Sequence, residues 1–333
     1  MTIAINGFGR IGRNVFKIAL ERGVEVVGIN DLTDTRTLAH LLKYDSTQGR
    51  FDGTVSYDDN HIIVNDKPYK VCSDRSPKQI DWGAAPDVVI ESTGVFVVRE
   101  SDKGGYGDHL KNEKYPAKKV ILTVPAKDKI DNMIVLGVND DALKAEDTCV
   151  SNASCTTNCL APIAKVLDEH FGIESGFMTT VHSYTNDQVM LDAPHKDLRR
   201  ARSGAVSIIP TTTGAARAVG KVLPQLDGKL DGVAMRVPTP TGSIVDLVVN
   251  VKKETTVDEV NQAMKKAAQG SMKGILEYTE DPIVSVDVIH NEHSSIFDAQ
   301  STMVMGKTIK VFSWYDNEWG YSCRVVELAQ KLV

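Results

Sequence analysis

A cysteine surrounded by polar residues is the clearest candidate nucleophile in this sequence. Cys155 lies in the segment 151–159, which is rich in hydroxyl and amide side chains, and an apolar pattern with helical spacing follows it directly. We therefore expect the thiol in or just before the first turn of a helix, where unpaired N–H groups and the helix dipole lower its pKa. Most free cysteines are small buried hydrophobic residues, but the polar neighbours of Cys155 favour a reactive thiol.

His182 is the best candidate base among the eight histidines. It ends the strand-like segment 177–182 and precedes a polar loop over 183–187. Beside a thiol, an imidazole can stabilise the thiolate and then donate a hydrogen bond to a developing oxyanion. A solvated loop histidine is the simpler alternative.

Cationic and hydroxyl residues that suit anions occur in the same half of the chain. They are the basic cluster 199–202, the hydroxyl-rich run 211–214 and Arg236, which interrupts an otherwise apolar strand. An arginine in such a strand needs a partner, and phosphate suits it through bidentate, charge-assisted bonds. A solvated helix face is the alternative for 199–202, and an internal salt bridge is the alternative for Arg236.

A glycine-rich turn near the start of the chain has the spacing of a dinucleotide-binding site. The strand-like segment 2–6 leads into Gly7-x-Gly9-x-x-Gly12, and a helical pattern over 14–22 follows. Gly7 permits a tight turn, Gly9 lets the backbone approach a pyrophosphate, and Gly12 allows the helix to pack closely on the strand. The alternative is a glycine-rich turn in some other α/β unit.

The residue that ends the second strand-like segment indicates which dinucleotide binds. Segment 25–30 ends at Asp31, close to the ~20-residue offset at which an acid meets the adenosine ribose. Its carboxylate can accept a hydrogen bond from a free 2′-hydroxyl but repels a 2′-phosphate. Leu32 follows instead of an arginine, so the sequence predicts NAD over NADP, although Arg36 leaves NADP open.

The pattern of elements predicts a doubly wound, Rossmann-type parallel sheet of the α/β class over residues 1–150. Residues 43–75 resemble a hairpin excursion, and further buried strands are expected at 87–91, 120–124 and 133–138. Ligands of such sheets lie at the carboxyl ends of the strands, which makes Thr93 and Thr123 candidate cofactor contacts, unless they are only turn residues.

The second half of the sequence has longer alternating strands. We expect strands at 176–183, 233–237 and 243–251 and a helix at 255–269. Residues 151–317 are therefore predicted to form an α+β catalytic domain with a mainly antiparallel sheet. Residues 318–333 are expected to form a C-terminal helix that packs back on the first domain.

Composition narrows the function classes. A formal net charge of −6 with dispersed lysines argues against a dedicated nucleic-acid site. No apolar run is long enough to span a membrane and no leader is evident, so we expect a cytoplasmic protein. Five cysteines without finger-like spacing predict neither a disulfide framework nor a metal site.

Several segments together resemble the phosphorylating, NAD-dependent, bacterial-type glyceraldehyde-3-phosphate dehydrogenases. The resemblance covers nearly the whole chain in the family's order and is most specific at residues 5–13, 151–162, 209–216, 236–242 and 313–322. It implies Cys155 as the nucleophile and His182 as its activating partner. It also implies a glycolytic enzyme that is typically a homotetramer, in which the loop 183–203 reaches a neighbouring subunit's cofactor site.

The resemblance also implies roles for individual binding residues. Those expected to hold the attacking inorganic phosphate are Ser154, Thr156, Thr213 and Gly214. Those expected to hold the substrate phosphate, or to bridge the two anion positions, are Thr185, Arg200 and Arg236. Those expected at NAD are Arg10, Ile11, Asp31, Arg75, Thr93, Thr123 and Asn317, with Tyr321 near the nicotinamide. Pro194 matches a residue that accompanies NAD preference in the family.

The reaction implied by the resemblance is the oxidation of glyceraldehyde 3-phosphate with NAD and inorganic phosphate to 1,3-bisphosphoglycerate. It proceeds through a hemithioacetal and a thioester on Cys155. Erythrose-4-phosphate dehydrogenase is the nearest alternative, and a non-catalytic dehydrogenase-like binding module is the other. One departure from the family is the segment 97–116, which is about seven residues longer than expected and reads as a glycine-containing surface loop beside the adenosine site.

Overall fold

Two separate β-sheets organise the chain. The computed structural model describes residues Met1–Val333. Residues 1–134, 141–153 and 322–333 form the first unit, and residues 135–140 and 154–321 form the second. Each unit is built around one sheet.

The first unit contains a nine-stranded sheet in the order β3-β4-β5-β2-β1-β6-β7-β9-β8. Its strands are β1 (Thr2–Asn6), β2 (Glu25–Asn30), β3 (Val55–Tyr57), β4 (His61–Val64), β5 (Lys67–Cys72), β6 (Val88–Glu91), β7 (Lys119–Leu122), β8 (Asn132–Met133) and β9 (Cys149–Ser151). Its helices are α1 (Arg10–Glu21), α2 (Thr35–Lys43) and the short 3-10 helices Tyr106–Lys111 and Asp140–Ala142, of which the last lies partly in the second unit. Strands β5, β2, β1, β6, β7, β9 and β8 run parallel, which confirms the predicted Rossmann-type sheet.

The turn between β1 and α1 depends on two close backbone approaches. Gly7 has φ +92°, and a Cβ there would lie 2.8 Å from the backbone N of Thr93. A Cβ on Gly12 would lie 2.0 Å from the carbonyl O of Gly7. Both positions therefore require glycine, and Gly12 lets the first turns of α1 pack directly on the end of β1, as the sequence predicts.

The structure corrects one local prediction, extends a second and adds a helix that was not predicted. The expected strand 133–138 contains only β8, because the apolar run turns at Gly137 (φ +81°) and Val138 N donates to Val135 O (3.0 Å). The hairpin excursion exists as β3-β4-β5, but β5 also pairs in parallel with β2 and so joins the main sheet. The sequence analysis missed α2, which begins after Asp34, whose side chain accepts from Thr37 N.

The long segment 97–116 differs from the predicted surface loop. Its middle forms the 3-10 helix Tyr106–Lys111, and the side chain of Tyr106 is completely buried. Tyr106 packs in a cluster with Val120, Leu122 and Cys149. Tyr106, the aromatic residue among the glycines of this segment, makes a core contact that the glycine-rich composition did not predict.

The second unit contains a seven-stranded sheet in the order β11-β12-β10-β13-β16-β15-β14. Its elements are α3 (Cys155–Phe171), β10 (Ile173–Ser183), β11 (Ile209–Thr212), α4 (Ala215–Val222), β12 (Leu230–Val237), β13 (Ser243–Val251), α5 (Val257–Gln269), β14 (Leu276–Thr279), β15 (Ser295–Met305), β16 (Thr308–Tyr315) and the 3-10 helices Pro224–Leu226 and Ser285–Val288. Four of its six pairings are antiparallel, which confirms a mainly antiparallel sheet. Helix α6 (Trp319–Leu332) begins in this unit and continues in the first.

None of the helices combines the length and the apolar character that crossing a membrane requires.

Replacing Gly12 with alanine should destabilise the protein. Overpacking typically costs ~1–3 kcal/mol, whereas alanine gains only ~1 kcal/mol over glycine in a helix interior. The net effect should lower the midpoint of thermal unfolding by several degrees. The matched control is Gly9→Ala, since a Cβ on Gly9 would meet no protein atom within 4 Å. An unchanged midpoint for Gly12→Ala would show that this contact relaxes freely.

Candidate active site

Cys155 is the first residue of α3, as predicted. Ser154 caps the helix, because its Oγ accepts a hydrogen bond from Thr157 N (3.1 Å). Leu160 and Ile163, two apolar residues that follow Cys155, are completely buried. Their packing holds the start of the helix against the core of the unit. The partly buried thiol is thus carried at a capped helix end.

His182 meets this thiol from β10. Its side chain is only 3% exposed, and its Nε2 lies 3.4 Å from Cys155 Sγ. The predicted histidine therefore ends a strand inside the protein and is no solvated loop residue. The structure brings the two groups together across 27 residues of sequence.

Arg236 lies beside His182 because β10 and β12 run parallel with these two residues in register. Its Nη1 lies 2.6 Å from His182 Nδ1 and 3.0 Å from the carbonyl O of Ser183. Its Nε is buried without a hydrogen-bond partner. No carboxylate pairs with Arg236, so the internal salt bridge is not formed, and the orphan Nε suits an anionic ligand.

Two contacts bear on the proton of His182 Nδ1. This atom lies 2.7 Å from the carbonyl O of Ser183, which can only accept a hydrogen bond, and 2.6 Å from Arg236 Nη1, which can only donate one. The first contact calls for a proton on Nδ1 and the second for a bare Nδ1, so the two contacts point to opposite tautomers. In either tautomer, Nε2 is the atom that faces Cys155 Sγ.

Burial dominates the ionisation of both groups. Burial lowers the pKa of His182 to about 3, and the positive charge of Arg236 lowers it further, so the imidazole is neutral. Burial raises the pKa of the Cys155 thiol, against the opposing effects of Arg236 and of hydrogen bonds from the Thr156 side chain and backbone. The prediction of a lowered thiol pKa is therefore wrong: it considered the helix end without the cost of desolvating a thiolate.

Tyr315 supports this pair from β16. Its hydroxyl lies 2.9 Å from Thr156 Oγ1 and 2.9 Å from Thr180 Oγ1. Its ring packs edge-on against the His182 ring, with the ring centroids 5.8 Å apart. Tyr315 thus braces the start of α3 and the imidazole at once, and the Thr156 hydroxyl is already engaged in this contact.

A second helix begins next to α3. Gly214 is the N-cap residue of α4, and Thr213 Oγ1 accepts from Ala215 N (3.2 Å). Thr157 Oγ1 reaches the carbonyl O of Ala215 at 3.5 Å, which joins the starts of the two helices. Ser154, Thr156, Thr213 and Gly214 therefore lie at two adjacent helix N-termini, a setting that favours anions.

Arg200 and Thr185 are placed differently from Arg236. Arg200 Nη1 donates to Asp187 (2.9 Å) and its Nε donates to Thr211 Oγ1 (2.7 Å), so its charge is already paired. Thr185 lies in the exposed loop after β10, where its backbone N donates to Gln188 Oε1 (3.0 Å). Among the predicted phosphate ligands, Arg236 carries the unpaired charge.

The first unit contains a cavity of about 500 Å³ at the carboxyl ends of β1, β2 and β6. Its lining residues are Asn6, Gly7, Gly9, Asn30, Asp31, Leu32, Asp74, Arg75, Ser92, Thr93, Val95, Phe96 and Lys103. Asp31 is oriented there by backbone donors, Phe8 N at 2.8 Å and Thr33 N at 3.0 Å. The empty space above Gly9, at the start of α1, fits a pyrophosphate that approaches the backbone.

Four of the predicted cofactor residues in the first unit lie outside the lining of this cavity: Arg10, Ile11, Gly12 and Thr123. Arg10 binds Asp45 through its guanidinium (2.8 Å) and also bonds to Thr47. Thr123 is buried and donates to the carbonyl O of Glu91 (3.2 Å). The side chains of Arg10 and Thr123 are therefore committed to the protein.

Asn317 and Tyr321 lie in the second unit. The Oδ1 of Asn317 accepts from Ser183 Oγ (2.9 Å), Ser243 Oγ (3.0 Å) and Gly242 N (3.1 Å). These three bonds orient the amide and leave its Nδ2 available as a donor. Tyr321 lies in the first turn of α6 and is 4% exposed.

Comparison with known proteins agrees with this geometry. Residues 1–99 match the family model described as "Glyceraldehyde 3-phosphate dehydrogenase, NAD binding domain", and residues 154–317 match its C-terminal domain. A glyceraldehyde-3-phosphate dehydrogenase of Borreliella burgdorferi is 63% identical over the full length of both chains. Those of Geobacillus stearothermophilus and Bacillus subtilis are 60% and 57% identical, over 98% of this chain and 96% of each relative.

The chain belongs to the glyceraldehyde-3-phosphate dehydrogenase family.

Sequence reasoning missed two supporting residues of this family member. Tyr315 was part of a recognised segment but had no role, and Thr180 was not singled out. Thr180 lies two residues before His182 on β10, so both side chains point to the same face of the sheet. The alternation of side chains along β10 could therefore have indicated Thr180. No local sequence pattern connects Tyr315 with Thr180 or His182.

Replacing Arg236 with glutamine should slow the alkylation of Cys155 by iodoacetamide. The cation lowers the pKa of the thiol, so its removal raises that pKa and reduces the thiolate fraction at a given pH. The pH midpoint of the alkylation rate should move upward, and Arg236→Lys should move it less. A midpoint that stays in place or falls would contradict the electrostatic role of Arg236.

Proposed function

We propose that this protein oxidises glyceraldehyde 3-phosphate with NAD and inorganic phosphate to form 1,3-bisphosphoglycerate. The observation that carries the proposal is the placement of His182 Nε2 at 3.4 Å from Cys155 Sγ, with an unpaired Arg236 beside them. A thiol, a neutral imidazole that faces it and a cation form a site for covalent chemistry on an anionic aldehyde. The identities of the bacterial relatives support the same glycolytic reaction.

The first step is addition of the Cys155 thiolate to the aldehyde carbon. The thiol proton is released to solvent, and the bond from Sγ to the carbonyl carbon gives a hemithioacetal oxyanion. In our proposal His182 carries a proton on Nε2 at this stage, and the oxyanion accepts its hydrogen bond. Because the site is largely desolvated, this donor stabilises the charge more than water would.

Oxidation converts the hemithioacetal into a thioester. NAD supplies the acceptor for the hydride that leaves the substrate carbon. As the hydride leaves, the oxyanion electron pair re-forms the carbonyl group, and the acyl group remains bonded to Cys155. A thioester preserves the energy of oxidation, which a free carboxylate would lose.

Inorganic phosphate then attacks the thioester carbon and Cys155 leaves as a thiolate. Adjacent starts of α3 and α4 provide N–H groups, and Ser154, Thr213 and Gly214 are our proposed ligands for this phosphate. Arg236 and Thr185 are proposed for the substrate phosphate. Arg200 joins them only if it leaves Asp187.

The cavity of the first unit is our proposed NAD site. Gly9 and the start of α1 would receive the pyrophosphate, and Asp31 would accept from the adenosine ribose. Arg75 and Thr93 line the same cavity. The carboxylate of Asp31 favours NAD because a 2′-phosphate would be repelled there.

The decisive experiment measures NADH formation from glyceraldehyde 3-phosphate and NAD with and without inorganic phosphate. Sustained turnover is expected only with phosphate, and Cys155→Ser should lose at least about a thousandfold because the thioester cannot form. His182→Ala should slow turnover by about a hundredfold or more through loss of the oxyanion donor.

Other results would direct the function elsewhere. Turnover that ignores phosphate would mean that water resolves the thioester. Faster turnover of erythrose 4-phosphate would favour the erythrose-4-phosphate dehydrogenase activity. A folded protein that binds NAD but turns over neither aldehyde would favour a binding module.

We further propose that the protein is a homotetramer. Phe177 on β10 is 75% exposed and Val233 on β12 is 43% exposed. Five large apolar residues of the segment 190–208 are also exposed, namely Met190, Leu191, Leu198, Val206 and Ile208. Large exposed apolar residues in such number mark interaction surfaces, and a second copy of the chain would cover them.

Charge on this apolar face should break the assembly. Light scattering after size exclusion should give about four times the mass of one chain for the unaltered protein and a smaller mass for Phe177→Glu combined with Val233→Asp. Tyr57→Glu, a change at a half-exposed aromatic residue of β3 in the first unit, is the matched control. A monomeric parent protein would refute the tetramer.

A cytoplasmic location is also proposed. None of the five cysteines forms a disulfide, as expected in a reducing compartment.

A further inference from the structure

The long segment 97–116 brings a lysine to the NAD cavity. Lys103 lines the same cavity as Gly9, Asp31 and Arg75. We propose that Lys103 binds the adenosine half of the dinucleotide and raises the affinity of the protein for NAD. The inference rests on the proposed placement of NAD in this cavity.

A defined turn presents Lys103. Its backbone N donates to Ser101 Oγ (3.2 Å), which in turn donates to the carbonyl O of Gly104 (2.8 Å). Gly104 has φ +93°, and a Cβ there would lie 2.9 Å from Cε1 of Phe96. The turn therefore sits directly on Phe96, which is itself part of the cavity wall.

The residues that follow the turn hold it in place. Tyr106 is fully buried, and its hydroxyl donates to Asp128 (2.8 Å). The backbone N of Gly107 donates to the carbonyl O of Arg99 (3.0 Å), which ties the two sides of the turn together. Lys103 is thus carried by anchored backbone, although its own side chain is exposed.

The charge of Lys103 has no counterpart in the protein. The other lysines of this segment, Lys111 and Lys114, pair with Glu100 and Asp81. Neither carboxylate of the cavity, Asp31 or Asp74, forms an ion pair with Lys103. An unpaired ammonium at the rim of a cavity attracts an anionic dinucleotide and can donate hydrogen bonds to it.

The apolar wall of the cavity identifies the half of NAD involved. Leu32, Val95 and Phe96 lie together in the lining and suit the flat adenine ring. Since the turn that carries Lys103 packs against Phe96, we place the ammonium group of Lys103 at the adenine end of the cavity. The nicotinamide half lies beyond the pyrophosphate and should be independent of Lys103.

Calorimetric titration tests this assignment without requiring turnover. Lys103→Met should weaken the binding of NAD and ADP-ribose by about threefold to tenfold at low ionic strength, the range of a partly exposed charged contact. Lys103→Arg should retain most of the affinity, and added salt should reduce the difference. The binding of nicotinamide mononucleotide should not change.

Two further variants make the result decisive. Lys129→Met removes the same charge from an exposed lysine that does not line the cavity, and it should leave NAD affinity unchanged. Equal weakening by Lys129→Met, or equal weakening for nicotinamide mononucleotide, would overturn the proposal.

Asp31→Ala distinguishes a failure of the role of Lys103 from a failure of the proposed NAD site. If it weakens NAD binding and Lys103→Met does not, only the role of Lys103 fails. If neither variant weakens binding, the placement of NAD in this cavity fails as well.

Discussion

An arginine without a carboxylate partner governs the electrostatics of the second unit. The parallel pairing of β10 and β12 places Arg236 against His182. Burial lowers the pKa of the imidazole and the guanidinium lowers it further, while the same guanidinium opposes the rise that burial causes in the pKa of Cys155. The Nε of Arg236 is buried without a hydrogen-bond partner, which suits an anionic ligand, and the hydrogen-bond donors at the starts of α3 and α4 lie in the same unit.

The neighbouring side chains keep this charged site in one geometry. Tyr315 binds Thr156 on α3 and Thr180 on β10, so a helix and two strands are connected through a single hydroxyl. Ser183 and Ser243 fix the amide of Asn317 in the same way. Preorganised donors of this kind need no rearrangement when charge develops on a substrate oxygen.

The first unit leaves open space beside the backbone at the start of α1, and this space can accommodate a large anionic ligand. Gly7 and Gly12 allow contacts that any Cβ would block, whereas Gly9 faces open space. The long segment 97–116 adds its own contribution through Tyr106, which anchors it, and Lys103, which lines the cavity. The segment 97–116 thus packs in the first unit without interrupting the parallel sheet.

The sequence by itself determined the fold class, the helix that begins at Cys155 and the glycine-rich turn, because these features follow from local periodicity, capping and steric rules. It also identified Asp31 as a residue of the cavity. Tertiary structure alone decided which distant groups meet. Cys155, His182, Arg236 and Tyr315 come from four elements, and their contacts depend on strand order and register. The burial of the Cys155 thiol likewise cannot be read from the neighbouring sequence. The sequence therefore predicted a lowered pKa for Cys155, whereas desolvation raises it. The core contact of Tyr106 and the turn at Gly137 were missed for the same reason, since packing overrode the local pattern.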